Sequence, residues 1–412
     1  MAAMTTLDDA LAHVLAQAQL LGVEHVDLFN ADGRVLAQDC ISALQVPPQD
    51  NSAMDGYAVR VADITAAGVQ LPVSQRIPAG HVGTELQPGT VARIFTGAPV
   101  PHGADAVLMQ EDTLVLDDGR VQFNAVPKLG QNIRRAGEDI ALHSAVLSRG
   151  MRLTPAAVGL AASIGMATLP VGRKPRVALF STGDELVIPG TVAPQDMQPG
   201  HIYNSNRYFL RALLQRLGCE VVDGGILPDN REQTVEAIHQ VAQDCDLVLS
   251  SAGVSVGEED HVKPAVEQQG ELNLWMISMK PGKPFAYGRV FRNGKDDAQG
   301  VAHFMGLPGN PVSSFITFLL LVRPFVLRLQ GMEDVAPKAI EVQAQFDWLK
   351  NEKRREFLRA RHTGNGGLAL FGNQGSGVLT STVWGDGLID NPPLTQIRQG
   401  DIVRFIPFSE LM

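Results

Sequence analysis

Residues 247–253 read Leu247-Val248-Leu249-Ser250-Ser251-Ala252-Gly253, and the chain continues Val254-Ser255-Val256-Gly257-Glu258-Glu259-Asp260. Consecutive bulky apolar residues that give way to small ones read as a strand buried on both faces and stopped by a turn. Residues 261–268 then carry a helical pattern, so the stretch is strand, turn and helix. The same grammar recurs on either side. Residues 177–180 are an apolar run ending in Ser181-Thr182-Gly183. Helices are expected over 206–217, closed by Gly218, and over 231–243. Strands are expected over 220–222 and 302–306, and 272–279 with 284–290 read as a hairpin. A long helix starts near Pro311. Strands alternating with helices specify an α/β domain with a mostly parallel sheet covered on both faces, here over 173–330. Ligands in such sheets sit beyond the carboxyl ends of the strands, where these glycine-bearing turns lie.

The flanks differ. Residues 6–22 read as an amphipathic helix. Thr6 is its cap, Asp9 lies in its first turn, Leu7, Leu11, Val14, Leu15, Ala18 and Leu21 share one face, and Gly22 ends it. Between 47 and 140, Pro47, Pro48, Pro78, Pro88, Pro99 and Pro101 punctuate short β-prone runs such as 91–95 and 106–109, and no helical period appears. That segment reads as a small β-rich domain. A short helix is expected over 154–164, then a boundary near 172–175. Residues 331–412 return to short strands with many glycines, a C-terminal β domain.

Composition bounds the partners. A chain of 412 residues holds roughly two to four domains. Its net charge of −10 argues against nucleic acid or an anionic membrane, which select basic surfaces. An anionic substrate would need a local basic pocket. The three cysteines are far apart and form no CxxC, so a reducing compartment fits best and a cytoplasmic location is expected. No HExxH occurs among the ten histidines. The N-terminus lacks a basic start and apolar run. The most apolar stretch, 315–322, is shorter than the ~20 residues a bilayer needs and reads as a buried helix.

Five constellations could carry chemistry. The turn after Leu249 lets backbone N–H groups converge on an anion, with Ser255 as a donor and Asp260 as a metal or polar-ligand group. An ordinary capped turn explains that spacing equally well. Met279-Lys280-Pro281-Gly282-Lys283-Pro284 holds two lysines in a stiff segment, suited to phosphate or another oxyanion. A solvated hairpin tip is the plainer alternative. Gly306-Leu307-Pro308-Gly309-Asn310-Pro311-Val312-Ser313-Ser314 joins a strand to a helix with Asn310 at the cap and Pro311 at the first position. A well-capped structural turn explains much of it. Ser181-Thr182-Gly183-Asp184-Glu185 ends another strand with two carboxylates. Asp55, Thr96 and Asp139 lie in turn-rich segments that physics alone does not make catalytic. No Walker A motif, helix-opening GxGxxG or GxSxG elbow occurs.

Taken together, PPQDNSAMDGYAVR, FTGAPVP, GADAV, GEDI, STGDEL, NSNRYFL, GVSVGEEDHVK, KPGKPFAYG, GLPGNPVSS and REFLRAR resemble, in order, the MoeA family of molybdopterin molybdenumtransferases, which includes the gephyrin E domain. The resemblance implies an α/β multidomain fold. An elongated linker domain (1–46 and 141–172) carries an inserted β-rich domain (47–140). A molybdopterin-binding α/β domain (173–330) and a C-terminal β domain (331–412) follow. It implies a homodimer whose cleft lies between the α/β domain of one subunit and the inserted domain of the other. The implied reaction takes adenylylated molybdopterin and molybdate to molybdenum cofactor and AMP, with Mg²⁺. By the same resemblance Lys280, Lys283, Ser313, Arg355 and Ser376 hold molybdate, and Asp229 and Asp260 hold the metal. Gly253, Ser255 and Gly257 cradle phosphate, and Glu185 meets the pterin. Asp55, Thr96 and Asp139 come from the partner. The enzyme that adenylylates molybdopterin and the acceptor molybdoenzymes are implied partners. Two departures stand out. Ala252 replaces a second glycine, where a Cβ narrows the loop or excludes positive φ, and 382–387 lacks the family's small-Asn-Gly pattern. Two other functions fit parts of the chain: a molybdopterin adenylyltransferase, which has the α/β domain alone, and a non-catalytic gephyrin-like scaffold.

Overall fold

The computed structural model describes residues 4–227, 230–253, 261–293 and 300–412. The chain divides into two compact units, one of residues 1–37, 150–153 and 169–412, the other of 38–149 and 154–168.

The larger unit is built on a six-stranded sheet. Its order is Glu220–Leu227, Arg176–Thr182, Leu247–Ser251, Val301–Leu307, Pro284–Phe291 and Gly270–Met276. The first four strands run parallel, and the last two form the expected hairpin. Alternation along 177–180 explains why both faces are covered. Val177 and Leu179 point into a core with Leu210, Leu214, Phe318 and Phe325, while Ala178 and Phe180 point into a second core with Ile238, Val262 and Val266. Helix Leu7–Gln17 joins the first core through Leu7, Ala10 and Val14. Thr6 caps it by accepting the Asp9 N–H at 3.1 Å. The helix stops at Gln17 rather than at Gly22, because the Leu21 N–H is taken by the Leu329 carbonyl, a tertiary bond that outcompetes another helical turn.

The apolar helix beneath this core is longer than its most apolar stretch. It runs 19 residues, Pro311–Leu329, long and apolar enough by composition to cross a membrane, yet 94% of that window is buried inside the protein. It passes through Pro324, which lacks an N–H and crowds the carbonyl four residues back. A π-helical turn at Phe318–Val322 absorbs the conflict, so the proline sits inside the helix instead of ending it.

A second sheet in this unit has the order Met279–Lys280, Arg355–His362, Gly387–Asn391, Ile402–Pro407 and Ile340–Gln343. Val342, Trp348, Leu358, Ile389 and Phe405 fill its core. Its first strand is the start of the two-lysine segment, paired in parallel with Arg355 and Glu356. The C-terminal β segment thus holds that loop by backbone hydrogen bonds.

The smaller unit carries a six-stranded sheet in the order Ala106–Met109, Gly56–Val59, Val91–Ile94, Gln70–Ile77, Arg120–Phe123 and Thr113–Val115. A Cβ at Gly56 would run into the Leu108 carbonyl, so glycine is required there. Cys40–Ile41 pairs with Ala145–Leu147, and helix Pro155–Ser163 is capped by Thr154. These pairings divide the expected linker segments. Residues 38–46 and 141–149 pair within the smaller unit, whereas 1–37 and 169–172 belong to the larger.

Candidate active site

Strand register builds the site. Ser181 lies level with Ser251, and Ser251 with Leu307, so three parallel strands end together. The turns that follow open into a cavity of about 740 Å³. Its lining includes Thr182, Glu185, Ala252, Lys280, Lys283, Ser313, Arg354 and Ser376. Asn206 ties the strand ends together, donating from Nδ2 to Ser251 Oγ at 2.9 Å and to the Gly309 carbonyl at 2.7 Å. Sequence reasoning did not single it out. It lies within NSNRYFL, but a buried side-chain amide bridging two turns shows that role only once the turns are known to be neighbours.

Ala252 sits at φ +72°, so its Cβ does not exclude the left-handed conformation the turn demands. The turn is held by the Ala252 N–H on the Leu307 carbonyl at 3.0 Å and by Ser250 Oγ on the Ala252 carbonyl at 2.9 Å. Its methyl borders the Gly309 turn, 3.4 Å from where a Cβ on Gly309 would stand. Gly253 follows at φ +76°, where a Cβ would meet Val262 Cγ2 at 2.7 Å. Ser255, Gly257, Asp229 and Asp260 lie outside the described residues. Among the described residues no group of three or more His, Cys, Asp or Glu side chains is placed to hold a metal.

The two-lysine segment is not a solvated tip. The Ile277 N–H closes it on the Lys283 carbonyl at 2.7 Å. Gly282, at φ +103°, lies so close on the buried helix that a Cβ would stand 2.5 Å from Thr317 Oγ1. Lys280 Nζ sits 3.1 Å from Glu352 Oε2 and 3.2 Å from Glu356 Oε1. Glu356 is 1% exposed, and its second oxygen accepts the Trp348 indole N–H at 2.7 Å. Lys283 lines the cleft, and its ammonium has no partner among the described residues. Arg354 brings a third cation. Its Nη2 lies 3.0 Å from Glu352 Oε2 and its Nε 3.1 Å from Oε1. Hydrogen bonding from Arg354 outweighs burial and, with Lys280, holds the Glu352 carboxyl down to about 2.

Two hydroxyls complete the wall. Ser313 lies in the first turn of the buried helix, and the Val312 N–H donates to the Ser376 carbonyl at 2.9 Å, bringing the two serines' segments together. The loop bearing Ser376 is braced by Arg359, which is fully buried, donates to the Gly375 carbonyl at 3.1 Å and is pushed down to about 10 by burial.

Arg355, expected among the oxyanion ligands, is not in this cleft. It grips Asp390 with two bonds of 2.6 and 2.7 Å, reaches Asp8 at 2.9 Å, and lines a different cavity of about 990 Å³. Alternation decides between the adjacent arginines. Arg354 and Glu356 are two apart and share the face toward Lys280, whereas Arg355 points to the opposite face. Arg354 takes the place expected of Arg355.

Glu185 lines the cleft with its carboxylate folded over Gly183, whose φ of +130° and missing Cβ make room for it. In the smaller unit, Asp55 and Thr96 meet. Asp55 Oδ1 accepts both the N–H and the hydroxyl of Thr96 at 2.8 Å, and these bonds hold the Asp55 carboxyl below its usual range. Asp139 is exposed, its N–H on the Val46 carbonyl, and no hydrogen bond joins it to Asp55 or Thr96 among the described residues.

Three ammonium or guanidinium groups and two hydroxyls around one hollow can surround a small tetrahedral anion. Comparison with known proteins identifies the family. Residues 5–165 match the MoeA N-terminal region (domain I and II), 178–328 a probable molybdopterin binding domain, and 341–408 the MoeA C-terminal region (domain IV). The molybdopterin molybdenumtransferase of Haemophilus influenzae is 39% identical over 417 residues, spanning 99% of this chain and 100% of that one. Molybdopterin molybdenumtransferase 2 of Mycobacterium tuberculosis is 37% identical over 382 residues, covering 89% of this chain and 90% of its own. The crystal structure of the molybdopterin biosynthesis moeA protein from Pyrococcus horikoshii OT3 superposes with a TM-score of 0.83 at 28% identity, covering 98% of this chain and 100% of that one. With all three regions matched in order and such relatives along nearly its whole length, the chain belongs to the MoeA family of molybdopterin molybdenumtransferases.

Proposed function

We propose that this chain works in molybdenum cofactor biosynthesis, inserting molybdenum from molybdate into adenylylated molybdopterin with release of AMP. The observation that carries the reading is the convergence of Lys280, Lys283, Arg354, Ser313 and Ser376 on one cleft at the carboxyl ends of the strands. Molybdate is a tetrahedral dianion. The cations and hydroxyls bind and orient it, while the adjacent turn at Ala252 and Gly253 offers backbone to a phosphate. Glu185 faces the same hollow, where it can accept hydrogen bonds from the pterin ring. As the two dithiolene thiols bond molybdenum through sulfur, their two protons pass to a displaced molybdate oxygen, which leaves as water, and attack of water on the phosphoanhydride releases AMP. Mg²⁺ belongs to the proposal through Asp229 and Asp260. Their hard carboxylate oxygens suit that ion, which would neutralise phosphate charge as AMP leaves.

Asp55, Thr96 and Asp139 are proposed to reach this cleft from the second subunit of a homodimer. The proposed location is the cytoplasm, in keeping with three free, buried thiols. The enzyme that adenylylates molybdopterin and the acceptor molybdoenzymes are proposed partners. Adenylyl transfer or scaffolding as the main role is less well supported, because family relatives named for the insertion step match nearly the whole chain. The test is AMP release from adenylylated molybdopterin, with and without molybdate and Mg²⁺. Release that depends on molybdate and is abolished by Lys283→Ala is expected. Release indifferent to molybdate, or a well-folded Lys283→Ala variant of normal rate, overturns the proposal.

A further inference from the structure

Lys280 is shared by two glutamates of unlike situation. Glu356 is 1% exposed, lies within a strand, and has both oxygens committed, one to Trp348 and one to Lys280. Glu352 is 20% exposed and lies in 349–354, a stretch without regular structure between Trp348 and that strand. One Glu352 oxygen touches both Lys280, at 3.1 Å, and Arg354, at 3.0 Å, while the other oxygen meets Arg354 Nε at 3.1 Å. A carboxylate oxygen bridging two cleft cations takes up the N–H donors that an oxygen of a bound oxyanion would use, and Glu352 does so from a neighbouring hollow that it lines with Lys283 and Arg354.

We propose that Glu352 is a resident counter-anion which an incoming oxyanion displaces, and that Glu356 is the positioning residue that keeps Lys280 aimed into the cleft. This rests on the reading of the cleft as an oxyanion site. Charge supports the division of roles. Lys280, Lys283 and Arg354 stand against Glu352, Glu356 and the cleft-lining Glu185, so these charges cancel while Glu352 is in place. With Glu352 withdrawn the balance turns positive, which favours an anion in the hollow. Three crowded cations repel one another in an empty cleft, and Glu352 relieves that repulsion until the ligand arrives. Its depressed protonation range keeps it charged and competing at neutral pH. Glu356 cannot play that part, because leaving Lys280 would strand a buried carboxylate beside Trp348.

The two glutamates therefore respond oppositely to loss of charge. The test is titration calorimetry of molybdate into the full chain, comparing wild type, Glu352→Gln, Glu356→Gln and Trp348→Phe. Glu352→Gln is expected to tighten molybdate binding by on the order of tenfold. Glu356→Gln is expected to weaken it by a similar factor, and Trp348→Phe by less. Trp348→Phe carries the positioning arm should Glu356→Gln fold poorly. An increase in affinity is a readout that structural damage does not produce. Wild-type binding with Glu352→Gln equal to or weaker than wild type overturns this proposal and leaves the oxyanion reading intact. Absence of molybdate binding in both wild type and Glu352→Gln overturns both.

Discussion

The adjacent arginines at the start of the Arg355–His362 strand should fail in opposite ways. Replacing Arg355 by Ala removes both bonds to Asp390, whose side chain is 4% exposed. Among the described residues Asp390 then keeps an ion pair only with Arg404, at 3.4 Å and itself largely exposed. Truncating one member of a fully buried pair costs about 3–5 kcal/mol. The Arg355 side chain is a quarter exposed, Arg404 remains, and water can enter the adjoining 990 Å³ cavity, so about 2 kcal/mol is the expected loss. The Asp8 contact adds little, because Asp8 is 80% exposed. Arg354→Ala gives up one ion pair with Glu352, worth about 1 kcal/mol or less. It also removes a cleft cation, which should lower molybdate-dependent AMP release on the order of 100-fold. Urea denaturation and the AMP assay, run on both variants, separate the two roles. A stable Arg355→Ala variant with abolished turnover, or an unstable Arg354→Ala variant with normal turnover, refutes the placement.

Two further predictions concern stability. His303 accepts or donates at 2.9 Å with the Tyr287 hydroxyl and is pushed from 6.5 down to about 4 by burial. Its folded value lies below its unfolded one, so the unfolded chain binds the extra proton. The stabilisation is complete above pH 6.5 and is lost as pH falls toward 4, by about 3 kcal/mol from a gap of about 2.5 units. His303→Gln should flatten urea midpoints across that window, and an unchanged slope refutes the assignment. Ala252→Gly should raise the urea midpoint by the equivalent of about 0.5–1 kcal/mol, because φ +72° strains an alanine and not a glycine. A loss of stability would mean that the Ala252 methyl is needed against Gly309.

The α/β core was legible because its physics is local. The 177–180 and 247–251 runs alternate into two separate cores, and their small-residue turns fall where parallel strands end. Lys280, Lys283, Ser313 and Ser376 could be nominated from motifs, and the fold brings them together. The choice between Arg354 and Arg355 could not be made that way. It turns on which residue of a strand pairs with Lys280, and a slip of one residue exchanges the faces. Glu352 and Trp348 lie outside the quoted motifs and Glu356 was not singled out within REFLRAR, since their significance comes from one ammonium group more than sixty positions earlier. The long helix from Pro311 was expected, but its π-helical turn before Pro324 was not, because only tertiary burial makes that turn worthwhile.

Crystals of the full chain soaked in tungstate, a heavier tetrahedral dianion, would locate the oxyanion by anomalous scattering. A peak within hydrogen-bonding reach of Lys283, Arg354 and Ser376, with Glu352 swung away from Lys280, is the expected result. A peak beside Arg355 and Asp390 with the strand-end cleft empty would contradict the account.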